Sequence, residues 1–502
     1  MSPNTLPDLS QLPSNDAAAI CARFESVPAR RRLFCNRTLN LRAVKAIGYD
    51  MDYTLVHYHV RAWEGRAYAH LRQRLMDGGW PVGGLEFDPE RAMRGLVIDK
   101  RLGNMVKANR FGYIKQAMHG TTELSPEQIR ESYGRTLVDL ADGARWIFLN
   151  TLFEISEGCM YAQLIDLLDR GDLPGPMGYD ELYRRVRHTL DRAHLEGALK
   201  AEILASPELY VDLDPDLPLA LLDQKESGKR LLLVTNSEWN YTDAMMTYAF
   251  DRFLPAGMHW RDLFAVIVVS SRKPAFFTGN HPLYEVVSAD GLLRHANDNI
   301  AEGKVYSGGC ADRLEKSLGL DGDQIAYVGD HMLSDTYYGK KLMNWRTVAI
   351  LRELEDDIEA IHLFAPQQQR IERLMVEKEE LEHAFSQLRI LRQRQKAKYG
   401  PRLDVDEQRD LSDNINTLRD RLLQLDAEIG PLVADSNTLA NRNWGLMMRT
   451  GNDKSLFARK VENHADVYTS RVSNLAYTTP FVFLRSLRGS LPHDAAVWPA
   501  VG

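Results

Sequence analysis

Asp50 and Asp52, two carboxylates one residue apart in VKAIGYDMDYTL (44–55), are the side chains best placed for chemistry in this 502-residue chain. Val44, Ala46, Ile47, Gly48 and Tyr49 form a short apolar run of the kind that makes a strand buried on both faces of a parallel sheet. Open α/β sheets bind ligands at strand carboxyl ends, so the acid pair falls where a ligand would sit. Two acids that close repel unless a cation or a proton lies between them. Mg2+ on Asp50 with a shuttled proton on Asp52 resolves the conflict. D-x-D alone is common on surfaces. D-x-D-x-T directly after a buried strand points to a carboxylate nucleophile for phosphoryl transfer.

Three later strand ends add the remaining parts. KRLLLV ends in Thr235-Asn236-Ser237, FAVIVVS in Ser271-Arg272-Lys273-Pro274, and QIAYV in Gly329-Asp330 with Asp335 beyond. Read singly, these residues are ambiguous. T-N-S suits a helix cap as well as a phosphate cradle, Lys273 a solvated surface, and Asp330 a turn. Asp335 suits a helix N-terminus. Together, at one sheet edge, they divide the labour of phosphoryl transfer. Asp50 attacks phosphorus in line, and Asp52 protonates the leaving group and later deprotonates water. Thr235 and Asn236 cradle the phosphoryl oxygens, and Lys273 offsets charge. Asp330 completes an all-oxygen Mg2+ site with Asp50 and Asp52, and Asp335 partners Lys273.

The elements that must hold these residues follow from periodicity. Strands are expected at 44–49, 229–234, 264–270, 324–328 and 345–351, alternating with helices at 62–76, 239–250 and 310–318. That alternation specifies an α/β fold with a doubly wound parallel sheet. Asn15-Asp16 is expected to cap a short helix through Phe24, and Ser334 to cap one that begins at Asp335. Hairpins are expected at 91–107 and at 283–295, the second turning at Asp290-Gly291. Between the first two strands, 146–153, 160–168 and 179–199 read as helical, which makes this block a mainly helical cap inserted into the core. Leu411, Ile415, Leu418, Leu422, Leu425, Ile429 and Leu432 are spaced 4-3-4-3-4-3, a heptad seam. Ile371, Leu374, Leu381, Phe385 and Leu388 offer a looser partner seam interrupted by Lys378, with the turn at Tyr399-Gly400-Pro401. An antiparallel helical hairpin results, serving as an internal prop or an oligomer contact. The division is a flexible segment 1–30, a core of 31–60 and 215–365, a cap 61–214, a hairpin 366–435, and a segment 436–502 packing on the core.

Composition excludes several classes. Lys+Arg number 62 against Asp+Glu 69, so no bulk basic field suggests nucleic acid. Cys21, Cys35, Cys159 and Cys310 are far apart with no CxxC, which argues against a disulfide frame or a zinc site and suits a reducing compartment. The polar, Pro-rich start MSPNTLPDLSQLPSND is unlike a signal peptide, and no apolar run has membrane-spanning length. The expectation is a cytoplasmic protein without membrane attachment.

DMDYTL, VTNS, SRKPAFF and YVGDHMLSD, in this order, resemble the four motifs of the haloacid-dehalogenase superfamily. More narrowly, the chain is similar from about residue 34 to 491 to the cytosolic purine 5′-nucleotidases that prefer IMP and GMP. FLNTLF (148–153), TNSEWNYTDAMMTY (235–248), VYSGGCADRL (305–314) and SLFARKVENHADVY (455–468) carry that likeness. The resemblance implies a haloacid-dehalogenase-like core and Mg2+-dependent hydrolysis of IMP, GMP and their deoxy forms through phospho-Asp50. It also implies phosphotransfer to a nucleoside such as inosine and assembly into a homo-oligomer, a dimer or tetramer. It places Phe153 as the ring that stacks on the purine, with Asn150 nearby. Arg187, Asp191, His194 and Lys200 become cap residues that contact substrate, Arg187 facing the 6-oxo group. From spacing alone, Arg187, Asp191 and His194 share one helical face, which by itself favours a solvated, salt-bridged surface. The chain departs from the family at its end, GSLPHDAAVWPAVG in place of an acidic run, and at Met332-Leu333, where the family carries an effector-binding aromatic. The second departure puts ATP-type activation in question. Two other readings stand beside this one: a phosphatase of the same superfamily for another phosphate ester, and a non-catalytic scaffold that uses its hairpin.

Overall fold

Short, mainly apolar runs build one large sheet, and their burial explains its form. Ala46–Tyr49 (β1), Arg230–Val234 (β2), Val266–Val269 (β3), Lys304–Gly308 (β4), Ile325–Gly329 (β5), Arg346–Ile350 (β6) and Val467–Thr469 (β7) all run parallel. β1, β3 and β5 are buried at every position, so apolar residues occupy both faces with no alternation. This is a computed structural model, which describes residues 27–195, 197–296 and 300–487. The helix expected at 15–24 lies outside them, as does the side chain of His194.

The parallel strands lie in the order β7-β6-β5-β1-β2-β3-β4. The chain therefore winds away from β1 in both directions, and the crevice between β1 and its neighbours is the topological switch point. Antiparallel strands close both edges: Phe34–Cys35 beside β7, and the Leu283–Val286/Leu293–His295 hairpin beside β4. The core is thus α/β and haloacid-dehalogenase-like in the placement of its motifs at one sheet edge. Residues after the helical hairpin supply β7 and the Phe483–Leu484 strand that pairs with Leu39–Asn40, so strands from the C-terminal side of the hairpin are built into the core.

Between β1 and β2 lie the helices Val60–Asp77 (α1), Ile155–Asp169 (α2), Tyr179–Leu195 (α3) and Ala198–Ala205 (α4). They are joined by a five-stranded antiparallel sheet made by Val97–Asp99, Asn104–Ala108, Ile114–His119, Thr122–Glu123 and Trp146–Phe148. The 91–107 hairpin is the middle of this sheet. Residues 146–153 are a correction to the helical reading: a three-residue strand is followed by a 3-10 turn at Leu152–Glu154. Three residues are too few to display a period of two. Ser334 is another correction. His331 caps the turn at Met332–Tyr337, its Nδ1 accepting from the amides of Leu333 and Ser334, 3.2 Å each.

Leu354–Lys396 (α5) and Val405–Ser436 (α6) form the antiparallel hairpin. Asp404 caps α6 with Glu407 in a reciprocal capping box. Leu411, Ile415, Leu425 and Ile429 are buried against α5, and Ile371 is buried opposite. Lys378, the interruption in the α5 seam, reaches Asp426 Oδ1 at 2.6 Å, so its position is satisfied by an ion pair. Cys35, Cys159 and Cys310 are free thiols. Among the described residues no helix is long and apolar enough to cross a membrane.

Candidate active site

The backbone just beyond β1 is still clamped by β5, Asp50 N donating to Val328 O at 2.9 Å, which fixes where the Asp50 side chain starts. Lys273, in the turn after β3, places Nζ 2.8 Å from Asp50 Oδ1 and 2.9 Å from Asp335 Oδ1. The same ammonium donates to Tyr327 Oη at 2.9 Å, and that hydroxyl donates to Val234 O. The lysine side chain is 1% exposed, so its charge is held by these partners alone. Burial lowers its pKa, yet Asp335 and Asp50 outweigh burial and hold it well above the usual range.

Asn236 sets the Lys273 turn. Its Oδ1 accepts from Lys273 N at 2.6 Å and Ser271 Oγ at 2.9 Å, while its Nδ2 donates to Lys273 O at 3.1 Å. Asn236 is thus placed as a brace for the lysine. Thr235 is fully buried, and its hydroxyl accepts from Ser237 N at 3.1 Å. Tyr53 (φ 54°), Ser270 (φ 46°) and Arg272 (φ 59°) hold left-handed backbone in the same loops. Such conformers cost of order 1–3 kcal/mol each and persist only where surroundings fix them.

One oxygen each from Asp50, Asp330 and Asp335 lies within 4.8 Å of the others. Burial pushes Asp50 up to about 7, with Lys273 opposing and Asp335 adding to it. Burial also pushes Asp330 well above the carboxylate range, with Asp335 adding and Arg94 opposing. Crowded, desolvated carboxylates of this sort fit a hard divalent cation, which supplies the charge that would keep them ionised. The donors are all oxygens, as Mg2+ requires. Asp52 lies apart from this trio. Its Oδ1 accepts from Tyr58 Oη at 2.6 Å and its Oδ2 from Ser237 Oγ at 2.7 Å, and Tyr58 Oη is 3.1 Å from Tyr241 Oη. Asp335, expected to partner Lys273, does so and also joins the trio.

Gly329 must be glycine for this arrangement, because a Cβ there would lie 2.6 Å from Asp335 Cβ. Gly329→Ala is expected to displace Asp335 and lower turnover by roughly 10²-fold, the scale of an ångström misplacement. Steady-state rates on a purified, folded variant check this, and wild-type rates would contradict it.

The cap supplies the far wall. Phe153 sits half-buried with its ring centroid 4.6 Å from Tyr53, 5.5 Å from Trp63 and 6.4 Å from Tyr58. Asn150 is buried, its Nδ2 donating to Phe148 O at 2.8 Å while Oδ1 has no partner. Arg187 reaches Glu157 at 2.7 Å, Glu154 at 3.4 Å and Asp191 at 3.3 Å. Lys200 donates to Glu238 at 2.7 Å and lies 3.5 Å from Ser237 Oγ, the hydroxyl that holds Asp52.

Several residues at this site carry no motif signal. Thr151 Oγ1 donates to Asp330 Oδ2 at 2.9 Å, and Arg94 Nη1 donates to Asp330 O at 2.9 Å. Thr151 lies inside FLNTLF, so that segment was the available pointer. Arg94 had none, because it acts across a long stretch of chain, and Tyr58 had none because it lies beyond the DMDYTL motif whose Asp52 it holds.

Glu64, fully buried on α1, accepts from Ser156 N at 2.9 Å. Burial pushes its pKa up to about 8 from 4.5, with the Ser156 bond opposing. The folded state therefore holds a proton that the unfolded chain releases near 4.5. The stabilisation is full below that value and is lost as pH rises through about 8. Inside the window the slope reaches about 1.4 kcal/mol per pH unit. Glu64→Gln should flatten the fall of Tm across it, and an unaltered fall would contradict the assignment.

The sequence matches the profile of the 5' nucleotidase family over residues 33–496. A 5'-nucleotidase domain-containing protein of Dictyostelium discoideum is 26% identical over 475 residues, 92% of this chain and 74% of that one. Human 5'-nucleotidase domain-containing protein 2 is 26% identical over 489 residues, 93% of this chain and 85% of that one. Among solved structures, a predicted phosphoglycolate phosphatase from Haemophilus somnus aligns at 13% identity over 61% of this chain and 85% of that one, with TM-score 0.28. CbbY from Rhodobacter sphaeroides in complex with phosphate aligns at 13% identity over 61% and 86%, with TM-score 0.23. Those TM-scores are too low to bear on this chain. With residues 33–496 matched, and with acids and lysine meeting at one sheet edge, the chain belongs to the 5'-nucleotidase family, whose reaction class is phosphoric monoester hydrolysis.

Proposed function

We propose that the protein is a Mg2+-dependent purine 5′-nucleotidase that hydrolyses IMP and GMP, and their deoxy forms, through phospho-Asp50. The observation that carries this reading is Lys273 bridging Asp50 and Asp335 beside Asp330. An Asp50 oxygen forms a bond to phosphorus as the P–O5′ bond breaks, and Asp52 gives the departing O5′ its proton. Asp52 then takes a proton from water, whose oxygen attacks phosphorus, releases inorganic phosphate and restores Asp50. A nucleoside 5′-hydroxyl in place of water gives phosphotransfer. Mg2+, held by Asp50 and Asp330 with Asp335 close by, would neutralise phosphoryl charge. Lys273 adds a fixed positive charge at the same oxygens. Thr235 and the adjoining amides bind the remaining oxygens, and Asn236 holds Lys273 in place.

On the base side, Phe153 stacks on the purine with Asn150 beside it, and Arg187, Asp191, His194 and Lys200 are the cap residues assigned to the substrate. Free thiols fit a cytoplasmic setting, and a homo-oligomer, dimer or tetramer, is the expected assembly. Phosphate release from a panel of nucleotides, with Mg2+ and with EDTA, tests the reading. Purine nucleotides should be preferred and EDTA should abolish release. Phe153→Ala should raise KM for IMP by the equivalent of roughly 1–3 kcal/mol of lost stacking. An unchanged preference in that variant would contradict the base site. Arg187 already faces three carboxylates, which favours as the alternative a phosphate ester lacking a 6-oxopurine.

A further inference from the structure

Arg94 lies in the loop that leads into the cap sheet, yet its guanidinium is 0% exposed and points at the core. Nη1 donates to Asp330 O at 2.9 Å and lies 3.8 Å from Asp330 Oδ2. Nε donates to Glu353 Oε1 at 2.9 Å, and Nη2 donates to the other oxygen of that carboxylate. The guanidinium carbon sits 5.6 Å from the Phe457 ring centroid. Glu353 is the residue before the first turn of α5. One arginine therefore joins cap loop, metal-site aspartate, long hairpin and C-terminal segment.

A buried guanidinium is expensive to desolvate unless its hydrogen bonds are met, and here a bidentate carboxylate and a carbonyl meet them. Packing the cap against α5 could be done by apolar side chains. An arginine adds something that apolar residues cannot, a fixed grip on both the backbone and the carboxylate side of Asp330. Thr151 Oγ1 donates to the same Asp330 Oδ2 at 2.9 Å. We propose that Arg94 is a positioning residue for Asp330, and that the Arg94–Glu353 pair makes the first turn of α5 part of the frame of the candidate metal site. The proposal rests on Asp330 being a cation ligand. Partners of this sort orient the ligating group, and their loss typically weakens metal binding by roughly 10–100-fold.

The sign of the effect separates positioning from plain charge. Were Arg94 only a competing cation near the site, its removal would tighten Mg2+ binding. Were it only a packing element, Mg2+ affinity would be unchanged in a folded variant. Positioning alone predicts weaker binding. The test is Mg2+ titration by calorimetry, without substrate, on wild type, Arg94→Met, Arg94→Lys and Glu353→Gln, with circular dichroism and Tm on each. The expected result is Mg2+ affinity lowered by about 10-fold or more in Arg94→Met, with smaller losses in Arg94→Lys and Glu353→Gln. The two milder variants decide the matter should Arg94→Met not fold. Mg2+ affinity equal to wild type in the folded variants, or tighter binding in any of them, would overturn the proposal. Absence of Mg2+ binding in wild type would instead remove the metal reading itself, and the proposal with it. Failure to hydrolyse purine nucleotides leaves this titration intact, so the two failures are distinguishable.

Discussion

Asp50→Asn is expected to lower phosphate release from IMP by roughly 10³-fold or more, because an amide offers no carboxylate oxygen to attack phosphorus. The fold should survive the change. Lys273 keeps Asp335 at 2.9 Å and Tyr327 Oη at 2.9 Å when Asp50 loses its charge. The substitution also removes one of the crowded acids that raise one another's pKa values. A Tm close to that of wild type together with lost turnover is therefore the expected pair of results. Lost turnover with a collapsed Tm would speak only of folding, and retained turnover would exclude Asp50 as the nucleophile.

Lys273→Met should affect both stability and rate. The ammonium is fully buried between Asp50 and Asp335, and removing one partner of a buried ion pair costs roughly 3–5 kcal/mol because the remaining charges are uncompensated. The carboxylates can offset only part of that cost by taking up protons, and Asp50 already lies near 7 with the lysine present. Their protonation would remove the attacking anion, so turnover should fall by roughly 10²–10³-fold, the scale for loss of one group that stabilises developing charge. The remaining activity should shift to higher pH, where Asp50 is again ionised. A rate that falls without any stability loss would mean that the lysine is not the counter-ion of this cluster.

The parts legible from sequence were those written in local pattern. β1, β2, β3, β5 and β6 announce themselves as apolar runs because parallel strands buried on both faces need no polar alternation. The heptad seam of α6 likewise repeats over enough residues for its period to emerge. The cap sheet was less legible, since Val97–Asp99, Thr122–Glu123 and Trp146–Phe148 have two or three residues each. β7 was missed for a similar reason, being three residues long and separated from its partner β6 by the whole hairpin. The motif residues Asp50, Lys273, Asp330 and Asp335 were placed together by topology alone, because strand ends of a parallel sheet share an edge. What topology cannot specify is how side chains divide the site. Asp52 is held by Tyr58 and Ser237 while Asp335 joins Asp50 and Asp330, and no spacing distinguishes those outcomes. Arg94 lay beyond reach because its partner Glu353 is 259 residues away.

The covalent step is the centre of the account, and one measurement addresses it most directly. Enzyme turning over IMP with Mg2+ is quenched in acid, digested, and the peptide containing Asp50 is weighed by mass spectrometry. The account predicts a fraction of that peptide heavier by one phosphoryl group, absent from Asp50→Asn and lost on treatment with hydroxylamine. Steady phosphate release with the Asp50 peptide always unmodified, or with the phosphoryl group on another residue, would contradict it.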